Sequence, residues 1–309
     1  MTTTDAVPSI KTNSARAWIK AARPITLTAA LIPVLTASAL AYSHGAFRLL
    51  PAVLCAIFAG LIQIASNFIN DLFDFLKGTD GDDRLGPLRS CAMGWITPKA
   101  MRWGIGVVMT LAAVVGLWLV NVAVWQETRS VETLLALLLV GAACLLFAFL
   151  YTTLLSYRGG GDVLVYVFFG LVPVVGTYYV QALDFVPELL WLAAGVGLAI
   201  DTLLIVNNFR DRETDRRSGK RPLIARRGAT FGLRFYLAHG ILAYFCVAGL
   251  LFYGFPKAGI ALLPYLWLHL HTWRTMKRIY EGKALNKVLG MTSRNMLVFG
   301  ILTLLGLVL

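Results

Sequence analysis

Residues 49–66 read LLPAVLCAIFAGLIQIAS and residues 67–80 continue as NFINDLFDFLKGTD, so a membrane-length apolar run closes on three acidic and two amide side chains. If the helix continues through residue 74, Asn67, Asn70, Asp71 and Asp74 fall at i, i+3, i+4 and i+7, which is one stripe on one face. Phe68, Ile69, Leu72, Phe73 and Phe75 take the other directions. Ionised carboxylates facing lipid are too costly, so this face must look into the protein or into a water-filled cavity. A polar helix end frayed into water is the bland reading. Four amide and carboxyl groups in register favour a site.

The rest of the chain explains why such a face must be internal. Its 309 residues are 58% hydrophobic and 14% charged, with a mean hydropathy of +0.72, too apolar for a soluble domain of this length. Nine apolar runs are predicted to cross the bilayer, at 25–44, 49–70, 103–124, 133–154, 162–181, 187–208, 235–253, 258–272 and 291–309. Each is near the length that spans about 30 Å of hydrocarbon at about 1.5 Å per residue. The expected fold is all-α and polytopic, one membrane-embedded domain over residues 1–309. Residues 1–17 are polar and carry no apolar stretch of signal-peptide type, so a short solvated tail is expected there. With the N-terminus inside, only Arg48, Arg129 and Lys257 among the 28 basic residues fall in outer loops. That bias predicts a cytoplasmic N-terminus and cytoplasmic motif loops at 71–102 and 209–234. The net charge of +12 then follows from orientation and from anionic lipid or substrate, with no need for nucleic acid. Cys55, Cys91, Cys144 and Cys246 form no CxxC pair and read as core residues. His269 and His271 point to different helix faces, which argues against a metal site there.

A second stretch repeats the design. Residues 207–223 read NNFRDRETDRRSGKRPL, with Asn207, Asp211 and Asp215 four apart and Asn208 three before Asp211. Both stretches end a membrane helix on the inner side, and both lead into arginine-bearing loops, GPLRS at 86–90 and RPLIARR at 221–227. Carboxylate and amide oxygens without imidazole or thiolate suit a hard cation, and Mg²⁺ is commonly held by a few carboxylates together with substrate phosphates. Two such clusters could hold Mg²⁺ ions that bridge a diphosphate, with Lys77, Arg84, Arg89, Lys220 and Arg221 on its outer oxygens. Positive-inside topology alone would account for these cations but not for the acids. A diphosphate at the membrane edge with apolar helices behind it suggests an isoprenoid diphosphate. Its allylic carbon would need a dry pocket with aromatic faces, for which Phe68, Phe73, Tyr151, Phe168, Phe169, Tyr178 and Tyr179 are candidates, although such aromatics are more often packing than pocket.

With both motifs in hand, the chain resembles the UbiA superfamily of intramembrane prenyltransferases over nearly its whole length. ARPITLTAALIPVL at 22–35 is similar to the entrance of that family's first helix, and the stretches at 67–90 and 207–228 to its two Asp-rich motifs. GGGDVLVYVFFG at 159–170 and GKALNKVLGMT at 282–292 look most like the branch that prenylates 1,4-dihydroxy-2-naphthoate in menaquinone synthesis. The resemblance implies nine helices around a central cavity, Mg²⁺ as cofactor, and a multi-pass enzyme of the inner (plasma) membrane. It implies transfer from a polyprenyl diphosphate to a ring carbon of the naphthoate, with CO₂ leaving and demethylmenaquinone formed. Carried over by motif, Asp71, Asp74, Asp211 and Asp215 would be catalytic and, with Asn67, Asn70 and Asn208, would bind metal. Asn207, Lys77, Arg84, Arg89, Lys220 and Arg221 would meet substrate, and Asp80 matches the loop after the first motif. The family's third acid of the first motif is Gly78 here. The Tyr and Lys pair of its hydroxybenzoate enzymes has no clean match, Tyr151 with Arg158 being the nearest substrate contacts. Asp201, seven residues before Asn208, is either a substrate contact or a buried group paired inside the bundle. A sibling enzyme with another acceptor, such as 4-hydroxybenzoate, and a transporter using membrane acids are the competing readings.

Overall fold

The computed structural model describes residues 10–78, 85–150 and 159–309, and the described chain is helical, without strands. In chain order the helices are α1 (Ala15–Ala22), α2 (Pro24–Ser43), α3 (Leu49–Leu76), α4 (Pro98–Thr128), α5 (Val131–Leu150), α6 (Gly161–Ala182), α7 (Glu188–Arg210), α8 (Arg212–Arg217), α9 (Leu223–Arg227), α10 (Ala229–Tyr253), α11 (Pro256–Ala261), α12 (Leu263–Ile279) and α13 (Leu285–Val308). Local chemistry sets several of their starts. Ser14 caps α1 by accepting from the Ala17 N–H, and Thr97 caps α4 by accepting from the Ala100 N–H, with Pro98 in the first turn where its missing N–H costs nothing. Pro24 opens α2 in the same way after Arg23, whose left-handed φ of 51° turns the chain from α1.

Among the described residues, eight helices (α2 to α7, α10 and α13) are long and apolar enough to cross a membrane. The predicted eighth crossing, 258–272, is the exception: it is divided between α11 and α12 at Leu262, where Pro264 in the next turn cannot donate back. Helix α12 is 17 residues long and ends in Arg274, Lys277 and Arg278. The fold class is the predicted one, and the count differs by this broken helix. Two boundaries also move. Helix α3 runs on to Leu76, so Asp71 and Asp74 stand on the helix and the first loop starts only at Lys77. Of the expected solvated tail, residues 1–9 lie outside the described residues, and in 10–17 Lys11, Thr12, Asn13, Ala15 and Arg16 are exposed while the backbone is tethered: the Asn13 N–H donates to the Trp95 carbonyl at 2.8 Å, and the Thr97 N–H donates to Asn13 Oδ1. Helix α1 buries Ala17 and Ala21 while Lys20 lies over the Trp95 ring. This one-sided burial is what holds the segment down.

Helix α7 forms the middle of the bundle, with 67% of its apolar window buried, and α5 is the outermost, with 6%. Close approach to α7 depends on glycine: a Cβ on Gly170 of α6 would stand 2.7 Å from Gly197 Cα and 2.8 Å from the Ala193 carbonyl oxygen. Backbone atoms cannot rotate aside, so the contact requires a hydrogen there. We expect Gly170→Ala to lower the thermal unfolding midpoint of the detergent-solubilised protein, at a cost of about 1–3 kcal/mol. Gly106→Ala, which meets nothing within 4 Å, should leave that midpoint unchanged or raise it.

Candidate active site

A cavity of about 540 Å³ lies among α2 to α7. Its wall is almost wholly apolar. Phe168 and Phe169 of α6 line it as expected, and Phe58 of α3 and Phe147 of α5 join them, Phe147 at a ring-centroid distance of 4.1 Å from Phe168. Phe68 packs instead on Trp18 at 5.3 Å, Phe73 lies in the cluster around α1 and Trp95, and Tyr178 Oη lies 2.7 Å from His44 Nδ1. Tyr179 is not part of the wall, and Tyr151 falls outside the described residues. Phe58 and Gln63 do not figure in the sequence reading; the helical period that selects Asn67 reaches Gln63 one turn back along α3, whereas Phe58, nine residues before Asn67, falls half a turn off that stripe.

Polar groups gather at the end of the cavity where α3 and α7 finish, with Asn67, Asn70 and Asn207 in its wall. Asn67 is spent on structure: its Nδ2 donates to the Ala22 carbonyl at 2.9 Å and to Thr26 Oγ1 at 2.8 Å, tying α3 to the start of α2. Gln63 Nε2 donates to Asn67 Oδ1 at 3.3 Å, and Gln63 Oε1 is buried without a hydrogen-bond partner. Asp71, 1% exposed, accepts from the Ser90 and Cys91 N–H groups, both at 2.9 Å, so its carboxylate holds the first motif loop. Asp74, one turn on, accepts from Arg89 Nη2 at 2.7 Å and lies 4.0 Å from Lys220 Nζ. Lys220 comes from the second motif. The two predicted clusters therefore meet at Asp74.

On the other side, Asp211 takes a two-pronged contact from Arg210, Nε donating at 2.8 Å and Nη2 at 2.6 Å. Burial pushes the Asp215 carboxyl up to about 6, with Lys220 and Arg210 pulling it down and Asp211 and Asp74 pushing it up. Asp74, Asp211 and Asp215 thus share one electrostatic neighbourhood. Among the described residues no three acid, imidazole or thiol groups close into a cage by themselves. Such an open donor set fits Mg²⁺, which keeps waters and phosphate oxygens in its shell and needs only one or two carboxylates. Asn207 Nδ2 donates back to the Leu203 carbonyl, and Asn208 beside it is half-buried. Lys77 and Arg221 are exposed at the rim. Asp80, Arg84 and Arg158 lie outside the described residues. Asp201, 1% exposed, stands 3.3 Å from His239 Nε2 of α10 and is not in the cavity wall, which is the paired-inside-the-bundle arrangement.

Comparison with known proteins agrees with this geometry. The chain is 36% identical over 236 residues to the 1,4-dihydroxy-2-naphthoate octaprenyltransferase of Escherichia coli K12, covering 75% of each chain. It is 34% identical to the enzyme of the same name from Mycobacterium leprae, over 92% of this chain and 93% of that one. The fold matches a UbiA homolog from Archaeoglobus fulgidus, solved with DMAPP and Mg²⁺, at a TM-score of 0.60 and 15% identity, over 93% of this chain and 99% of that one. Residues 30–297 match the UbiA prenyltransferase family, and with two acid-bearing helices whose amides Asn67, Asn70 and Asn207 line one apolar cavity, the chain belongs to that family of multi-pass membrane transferases.

Proposed function

We propose that this chain transfers a polyprenyl group from a polyprenyl diphosphate to 1,4-dihydroxy-2-naphthoate with loss of CO₂, giving demethylmenaquinone, at the cytoplasmic face of the inner (plasma) membrane. The observation that carries the reading is an acid and cation cluster, Asp74, Asp211, Asp215, Arg89 and Lys220, reached one helical turn beyond Asn70 and Asn207, which line the end of an apolar cavity. A diphosphate fits the first and its hydrocarbon tail the second. The naphthoate acceptor rests on the names of the relatives from Escherichia coli and Mycobacterium leprae.

Asp74, Asp211 and Asp215, with the amides of Asn70 and Asn208, would hold Mg²⁺, which when bound supplies positive charge against the diphosphate oxygens. Lys220 and Arg89 face the same oxygens from the protein side and favour departure of the diphosphate with the electron pair of the broken C–O bond. Phe147, Phe168 and Phe169 keep water from the allylic carbon as its positive charge grows. A ring carbon of the acceptor forms the new C–C bond. The bond from that carbon to its carboxylate then breaks, its electron pair restores the aromatic ring, and CO₂ leaves. To Gln63, in the cavity wall one turn before Asn67, we assign a hydrogen bond with an acceptor hydroxyl. Asp71 and Asn67 act through the loop and the helix they hold.

The deciding assay offers the purified protein Mg²⁺, a polyprenyl diphosphate and, in parallel, 1,4-dihydroxy-2-naphthoate or 4-hydroxybenzoate. We expect lipid product and CO₂ from the naphthoate alone; product from the hydroxybenzoate without CO₂ would move the protein to another acceptor. Asp74→Asn and Asp215→Asn should each cut kcat by about 10²-fold or more while leaving the helical circular dichroism unchanged. Wild-type turnover in either variant contradicts the metal assignment. Gln63→Leu should raise KM for the naphthoate by about tenfold, the worth of one buried hydrogen bond, and leave KM for the diphosphate alone.

A further inference from the structure

Asn286 is the second residue of α13, far from both acid-rich motifs in sequence. Its side chain bonds to neither its own helix nor a neighbour in the chain. Asn286 Nδ2 donates to the Leu85 carbonyl at 2.8 Å, across 201 residues, and Asn286 Oδ1 accepts from Arg210 Nη1 at 2.9 Å. Arg210, 5% exposed, spends its Nε and remaining Nη on Asp211. The loop backbone comes close to that guanidinium, since a Cβ on Gly86 would stand 2.8 Å from Arg210 Nη2. With three of its nitrogens engaged, Arg210 cannot swing away to make room. Four residues of the 85–91 stretch are thus tacked down: Leu85 by Asn286, Arg89 by Asp74, and the Ser90 and Cys91 N–H groups by Asp71.

Resting on the reading of this end as the diphosphate site, we propose that Asn286 is a positioning residue that clasps the first motif loop to the second motif through Arg210 and Asp211. Its carbonyl oxygen orients Arg210, Arg210 orients the Asp211 carboxylate, and its amide N–H fixes Leu85 over both. The clasp sets the spacing between the two acid-bearing helix ends, and a diphosphate that must bridge them binds best when that spacing is kept. The contribution of Asn286 is therefore to substrate affinity, without contact with substrate.

Cys91 reports the loop position, because it is 3% exposed while the loop is down. The test is the rate of maleimide labelling at Cys91, located by peptide mass, in the wild type, Asn286→Ala, Asn286→Asp and Gly86→Ala. We expect labelling about tenfold faster in Asn286→Ala, as for loss of a bond to a charged partner. Mg²⁺ with inorganic pyrophosphate should slow labelling in the wild type and less so in the variant. KM for the prenyl diphosphate should rise about tenfold while kcat changes by less than about twofold. Asn286→Asp keeps the acceptor for Arg210 but loses the donor to Leu85, so it should label like Asn286→Ala. Gly86→Ala lifts the loop without touching Asn286, and it carries the test if Asn286→Ala fails to fold. Wild-type labelling and KM in the folded variants overturn the proposal, as does an equal rise at Cys246, which would mean general loosening. The labelling needs no acceptor and no turnover. A wild type that ignores the naphthoate while the variants still open the loop refutes the acceptor assignment and leaves the clasp standing.

Discussion

A carboxylate cannot be left in hydrocarbon, and that constraint organises this protein. Asp71 and Asp74 on α3, and Asp211 and Asp215 beyond α7, stand where helices leave the apolar zone, so their charge can be met by arginine, lysine and backbone N–H groups from the loops. Asp71, Asp74 and Asp211 are each met by a partner suited to its depth. The deepest of the first pair, Asp71, is held by two backbone N–H groups, which neither add charge nor need room. Asp74, nearer the rim, is held by Arg89. Removing either partner would leave an uncompensated buried charge, at a cost of about 3–5 kcal/mol, so the loops are as much a condition for the helices as the reverse.

The same constraint explains why the site is open. Arg210 on Asp211 and Arg89 on Asp74 neutralise carboxylates that would otherwise repel one another across the gap between α3 and α7. Asp215 is left with the least favourable surroundings, burial raising its carboxyl to about 6 despite Lys220. A group held in that state gains more than its neighbours when positive charge arrives. Electrostatic frustration of this kind is a usual mark of a functional position.

What could be read from the sequence was what is local. The stripe of Asn67, Asn70, Asp71 and Asp74 follows from 3.6 residues per turn, and α3 does continue through it to Leu76. The broken α12 was missed because hydropathy weighs composition and overlooks Pro264 and the three basic residues at the far end. The partners of Asp71 left no trace because a backbone N–H has no residue code. Asn286 was quoted within a motif but not given a role, since its contacts lie 76 and 201 residues away. Gln63 differs from these: it is legible one turn back along a face already identified, while Phe58 lies nine residues before Asn67 and off that face.

Helix α5 lines much of the cavity, yet only 6% of its apolar window is buried by protein. Its outer face must therefore be solvated by acyl chains, and the force holding it against the cavity comes largely from the bilayer. The chamber is bounded on one side by a wall whose position answers to lateral pressure. Membrane thickness and fluidity then become terms in how much hydrocarbon the site can hold, alongside any side chain that lines it.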